Sequence, residues 1–174
     1  MGLRRLRAVV ALAAMLGVMA GPGHAAKDSA VATSGLPIPR YVSLKSDHVN
    51  VRAGPTKDND VAWVYTRSGL PVEITAEFEN WRRVRDSEGS EGWVYHSMLS
   101  GRRTAVITMK SKEELAPLYD RADRESAVAA KLQAGVVAQV KKCSNGWCRI
   151  TGNGFDGFIE QQRLWGVYAD EKVE

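Results

Sequence analysis

The chain has 174 residues, of which 44% are hydrophobic and 25% charged, with a formal net charge of +4 and a pI near 9.2. Arg4, Arg5 and Arg7 supply three of those charges ahead of an apolar run, and without them 21 basic residues stand against 20 acidic ones. Residues 40–103 hold ten basic and nine acidic side chains and residues 104–174 ten of each, so neither half has the one-signed field of a phosphate-binding surface, and a nucleic-acid partner is excluded.

Arginines, then the apolar run Ala8 to Ala20, then Gly21-Pro22-Gly23-His24-Ala25 form the order of a secretory signal peptide. It is expected to span 1–25, with cleavage after Ala25 and Ala20 as the alternative. Thirteen apolar residues fall short of the roughly 18 needed to cross a bilayer, so no permanent membrane span is expected. With no cysteine before Cys143 to accept a lipid, the mature protein should be periplasmic or secreted and free of the membrane. Residues 26–39 are small and polar and end in Pro37-Ile38-Pro39, the composition of an extended, mobile leader.

The first folded unit is expected over 40–101. Val49-Asn50-Val51 reads as a short strand, Gly54-Pro55 and Lys57-Asp58-Asn59-Asp60 as a turn-rich loop, and Val61 to Thr66 as a second strand. Val72 and Ile74 alternate with Glu73 and Thr75 in a third strand. Asn80 turns the chain into Arg82 to Arg85, and a polar run over 87–92 turns it into Trp93 to Tyr95. Five short strands this closely punctuated predict a small all-β barrel or sandwich.

The unit is then written again. Asn80-Trp81-Arg82-Arg83-Val84 reappears 66 positions on as Gly146-Trp147-Cys148-Arg149-Ile150, and Gly92-Trp93-Val94 reappears 65 on as Gly157-Phe158-Ile159. Such a repeat fixes the domain count, giving a second barrel over 104–168 and a tail over 169–174. Residues 121–135 are alanine-rich and favour helix on propensity. Their counterpart, Val61 to Thr66, is a strand former, and two copies of one fold must agree, so a strand is expected there.

Cys143 and Cys148 are the only cysteines, and an even number in an exported chain makes a disulfide the default. They bracket Asn145-Gly146, the dipeptide best suited to a tight hairpin, which would bring the two sulfurs together. A loop this short gives a chain-entropy gain of only about 2 kcal/mol. The competing readings are a redox pair, which favours two intervening residues rather than four, and half of a metal site, for which no second pair of ligands is near.

Val49-Asn50-Val51-Arg52-Ala53-Gly54-Pro55, then Gly69-Leu70-Pro71-Val72-Glu73-Ile74, the two tryptophan motifs and Leu99 resemble the bacterial SH3-like domain in order and spacing. The second unit lacks the opening motif but keeps the tryptophan motifs and ends in Leu164-Trp165-Gly166-Val167, and is similar to the cysteine-bearing exported subfamily. The resemblance implies two small SH3-like β-barrels in tandem, five to seven strands each, that bind peptide or cell-wall material. Such domains often accompany peptidoglycan hydrolases as targeting modules.

The candidate ligand-binding residues are Trp81, Arg83, Arg52, Tyr65, Tyr95 and Trp147. By alternation Val84 and Ile150 face one side of their strands, and Trp81, Arg83, Trp147 and Arg149 the other. Two readings follow: the indoles present a surface to a sugar or peptide, or they fold over the barrel ends and close the core. Trp93 and Phe158 are expected in the core, Trp165 and Tyr168 between the barrels, and Trp63 and Tyr65 on faces the register leaves open. Catalysis is not expected. Only His48 and His96 remain after His24 leaves, both cysteines are committed to the bridge, no nucleophile elbow occurs, and Asp58 and Asp60 read as turn residues rather than metal ligands. No cofactor or metal is expected. The expected partner is peptidoglycan or its stem peptide; the alternative is an envelope scaffold docking a protein partner.

Overall fold

The computed structural model describes residues 33–109, 111 and 114–174. The expected signal peptide, and the leader up to residue 32, lie outside them. Barrel 1 contains β1 (Arg40–Leu44), β2 (Val49–Arg52), β3 (Val61–Tyr65), β4 (Pro71–Phe78), β5 (Trp81–Arg85), β6 (Glu91–Tyr95) and β7 (Leu99–Ser100). Barrel 2 contains β8 (Thr104–Ile107), β9 (Leu115–Tyr119), β10 (Val128–Gln133), β11 (Val137–Ser144), β12 (Trp147–Gly152), β13 (Phe155–Glu160) and β14 (Leu164–Trp165). A single 3-10 turn precedes the last strand of each, at His96–Met98 and Gln161–Arg163. The strand orders, β3-β2-β6-β5-β4-β1-β7 and β10-β9-β13-β12-β11-β8-β14, are the same order in the two copies, and every pairing is antiparallel. The all-β tandem fold is therefore as expected, and β10 forms where helix propensity argued against it.

Each barrel has its own core. Val49, Val51, Val72, Ile74, Val84 and Val94 fill the first, and Ala116, Leu118, Ala138, Val140, Ile150 and Ile159 take the same places in the second. These are every other residue of their strands, as a sheet with one buried face requires. Alternation also corrects one expectation. Val94 and Ile159 are wholly buried, so Trp93 and Phe158 beside them point away from the core and are only half-buried. The glycines before them are needed for a different reason, close approach. A Cβ on Gly92 would lie 2.4 Å from Val51 Cγ1, and one on Gly157 would lie 2.7 Å from the Tyr119 carbonyl oxygen.

Both long strands bulge at the same point. Thr75 of β4 and Lys141 of β11 have no partner in register on β5 and β12. Beyond the bulge the two hairpins diverge in chemistry. In barrel 2 Cys143 and Cys148 face each other and are joined by the expected disulfide, 1% and 0% exposed, across a turn in which Asn145 and Gly146 take φ of 52° and 77°. In barrel 1 the same cross-strand pair is Glu77 and Arg82, an ion pair of 3.1 Å that Arg40 joins at 2.6 Å. The Glu77 side chain is 1% exposed.

The chain ends cover these two positions. Ser34 donates to Glu77 through its amide (2.8 Å) and its hydroxyl (2.9 Å), so the last residues of the expected leader are tied to barrel 1. Val173 exchanges backbone hydrogen bonds with Cys143 and is 8% exposed, which makes the expected tail part of the second barrel's packing.

The barrels meet through β1, β4, β8 and the segment after β14. Tyr41 packs edge-on against Trp165 at 5.4 Å and tilted against Tyr168 at 4.6 Å, so Trp165 and Tyr168 lie between the barrels as expected. Tyr168 donates its hydroxyl hydrogen to Glu73 at 2.9 Å, and Arg85 donates to the other oxygen of the same carboxylate. Burial, then the Glu73 charge, pushes the Tyr41 hydroxyl up to about 12. Below them the Ser43 and Thr104 hydroxyls meet at 2.7 Å, and Thr104 also donates to the Gly69 carbonyl at 2.7 Å.

Removing one partner of a buried ion pair strands the others, whereas opening a short disulfide loop mainly frees the unfolded chain. Glu77→Ala is therefore expected to cost about 3 kcal/mol and the Cys143→Ala/Cys148→Ala double variant about 2 kcal/mol. Equilibrium urea unfolding of each against the parent checks the order, and equal or reversed losses would count against it.

Candidate functional site

The outer face of barrel 1, opposite its core, gathers side chains from β2, β5 and β6. Trp81 pairs across the ladder with Tyr95, and their rings pack edge to face at 5.4 Å. Asn50 and Arg52 project from the neighbouring strand, since Val49 and Val51 between them face inward. With His48, Lys57 and Met98 these residues line a cleft of about 220 Å³. Arg52 is anchored by a 2.6 Å hydrogen bond from Nη1 to the Asn59 carbonyl, which holds its guanidinium against the loop that carries Lys57. The lining has two cations, an imidazole, two aromatic rings and no carboxylate. Such a wall accepts an anionic group at one end and an apolar or planar one at the other.

Of the expected site residues, Trp81, Arg52 and Tyr95 are thus brought together. Trp81 itself is 7% exposed and covered by Tyr95, which goes against the exposed reading, although it stands outside the core cluster. Arg83 lies on the same face but is paired with Glu91 at 2.6 Å and does not line the cleft. Tyr65 is turned away altogether. It shares a face with Trp63, packs on the core, and donates to Asp86 at 3.1 Å; burial and the Asp86 charge raise its pKa. His48, Asn50, Lys57 and Met98 were missed. The signal for Asn50 was present: 50 and 52 share one face of a strand whose odd-numbered residues are valines.

Trp147 lies in the equivalent place on barrel 2, at a wider cleft of about 650 Å³, but with different companions. Its edge-to-face partner is Tyr119, which stands where barrel 1 has Arg52, while Glu160 stands where barrel 1 has Tyr95. Glu160 receives Arg124 (Nε 2.7 Å) and Arg163 (Nε 2.9 Å). Burial alone would raise its pKa, and the hydrogen bonds from Arg163 and Arg124 outweigh that and hold it below the usual carboxylate range. Among the described residues no three His, Cys, Asp or Glu side chains converge as a metal site, and no helix is long and apolar enough to cross a membrane.

A family model described as a bacterial SH3 domain matches the chain twice, over residues 45–101 and 112–166. The chain belongs to that family. Bacterial SH3 domains are generally cell-wall-binding modules, typically without catalysis of their own and often extracellular. Two solved structures from Trichomonas vaginalis are similar to it: NlpC2, 16% identical over 73% of this chain and 48% of its own, TM-score 0.33, and NlpC1, 18% identical over 83% and 51%, TM-score 0.32. The chain spans about half the length of each. No curated protein matches it.

A carboxylate whose folded pKa is lowered binds protons less readily than in the unfolded chain. Its contribution to stability is present above the ordinary value of 4.5 and is lost as pH falls below it. Stability should therefore fall on acidification past 4.5, and Glu160→Gln should flatten part of that fall. Urea midpoints across an acid pH series test this; an unchanged acid slope in the variant would contradict it.

Proposed function

We propose that this is an exported, non-catalytic protein that attaches to cell-wall peptidoglycan through the outer cleft of barrel 1. The observation that carries the reading is the convergence of Trp81, Tyr95, Arg52 and Lys57 on one cleft with no carboxylate in its lining. A stem peptide offers both halves of what such a cleft takes: a carboxylate for Arg52 and Lys57, and side-chain or sugar faces for the rings. The disulfide supports an oxidising compartment and hence export. The aromatics that a protein-docking scaffold would present across both barrels, Tyr41, Trp165 and Tyr168, are instead packed against one another at the junction, which favours the wall over the scaffold.

The test is sedimentation of the mature protein with purified sacculi at low salt. Tyr95→Ala and Arg52→Gln are the informative variants, because Trp81 is too buried to remove without disturbing the fold. Each is expected to weaken binding about tenfold, the loss of a contact worth about 1.4 kcal/mol. Wild-type protein left in the supernatant, or both variants sedimenting like the parent, would remove the proposal.

A further inference from the structure

The junction of the two barrels floors a second kind of surface. Two adjoining clefts of about 570 and 170 Å³ share Ser68, Gly69 and Arg102 and so run into each other. Arg67 and Lys141 line the larger and Lys45 the smaller, and neither lining contains a carboxylate or an aromatic ring. Lys141 reaches this surface from the β11 bulge, where barrel 1 has Thr75.

These four cations come together in one groove, and none of them is paired. Eight other arginines of the described chain are matched with a carboxylate within 4.0 Å, whereas none of Lys45, Arg67, Arg102 and Lys141 forms an ion pair among the described residues. Arg67 donates across the junction to the Gly135 carbonyl at 3.1 Å, and Lys141 to Gln139 Oε1 at 3.1 Å. These bonds orient the two groups without neutralising them. The Ser43, Thr104 and Gly69 contacts beneath fix barrel 2 against barrel 1 and so hold cations from both barrels on one groove. Four like charges gathered without counter-charge repel one another, an arrangement that an anion spanning them would relieve.

We infer that the inter-barrel groove lined by Lys45, Arg67, Arg102 and Lys141 binds a linear polyanion whose charges are phosphate groups. A single small anion meets only one or two of these cations; a chain of anions meets them all and releases its counterions in doing so. Guanidinium forks match phosphate oxygens two at a time. The absence of any aromatic lining leaves no platform for bases or sugar faces, so recognition rests on charge and hydrogen bonds. The balanced totals of each half of the sequence conceal this local field, because the carboxylates lie elsewhere and none lines either cleft. The inference is independent of the wall-binding reading, which rests on a different cleft and is read by sacculus sedimentation, so either can fail alone.

Anisotropy of fluorescently labelled polyphosphate, titrated with the mature protein over a salt series, tests it. The parent is expected to bind at low salt, with log affinity falling linearly with log salt. Arg102→Gln/Lys141→Gln should weaken binding at least about tenfold and lower the slope by between about one and two. Arg121→Gln, which removes an exposed charge from the loop before β10, should change the affinity less than about twofold. No binding by the parent at low salt, an unaffected double variant, or an equal loss in Arg121→Gln would overturn the inference. Equal affinity for polyglutamate of the same charge would overturn the phosphate assignment.

Discussion

The carboxylate of Glu73 is held by both barrels at once. It is 3% exposed, and a charge so placed is tolerable only when its oxygens are fully bonded. Arg85, from the same barrel, takes one oxygen, and the hydroxyl of Tyr168, from the other, takes the second. Tyr41 packs against Trp165 and Tyr168 beside it. Separating the barrels would cost Glu73 a hydrogen bond that only Tyr168 supplies, so the relative placement of the two cores follows from it. The basic groove beneath exists only while that placement holds.

Within this frame the two copies solve the same problems by different means. The hairpin position that a disulfide closes in barrel 2 is closed in barrel 1 by Glu77 between Arg40 and Arg82. Each solution is covered by a chain end: Ser34 on the ion pair, Val173 beside the bridge. The outer clefts diverge further. Tyr95 and Arg52 against Trp81 make an aromatic, cationic wall, whereas Glu160 and Tyr119 against Trp147 bring in a carboxylate already engaged by two arginines. One backbone thus presents one surface with free cations and another in which the carboxylate beside the tryptophan is matched.

The sequence made the architecture legible because a duplicated pattern tests itself. It placed β10 against local propensity, and it located the hairpin and its bridge. It failed at side-chain direction. Trp93 and Phe158 look like core residues by size, but the fully buried Val94 and Ile159 next to them fix the opposite face. Trp81 was open to two readings, since alternation tells which side of a sheet a residue is on and not what else lies there, and it is buried under Tyr95. The cleft was only half visible, as His48, Lys57 and Met98 reach it from turns and loops whose course no periodicity encodes. The four cations at the junction come from segments far apart in the sequence, at positions 45, 67, 102 and 141, and their meeting lies beyond any local pattern.

Locked at Glu73 and Tyr168, the two barrels form one body. Backbone ¹⁵N relaxation of the mature protein tests it most directly. Amides of residues 40–101 and 104–168 are expected to fit a single rotational diffusion tensor. Two separate tensors, each with the faster tumbling of an isolated barrel, would contradict it.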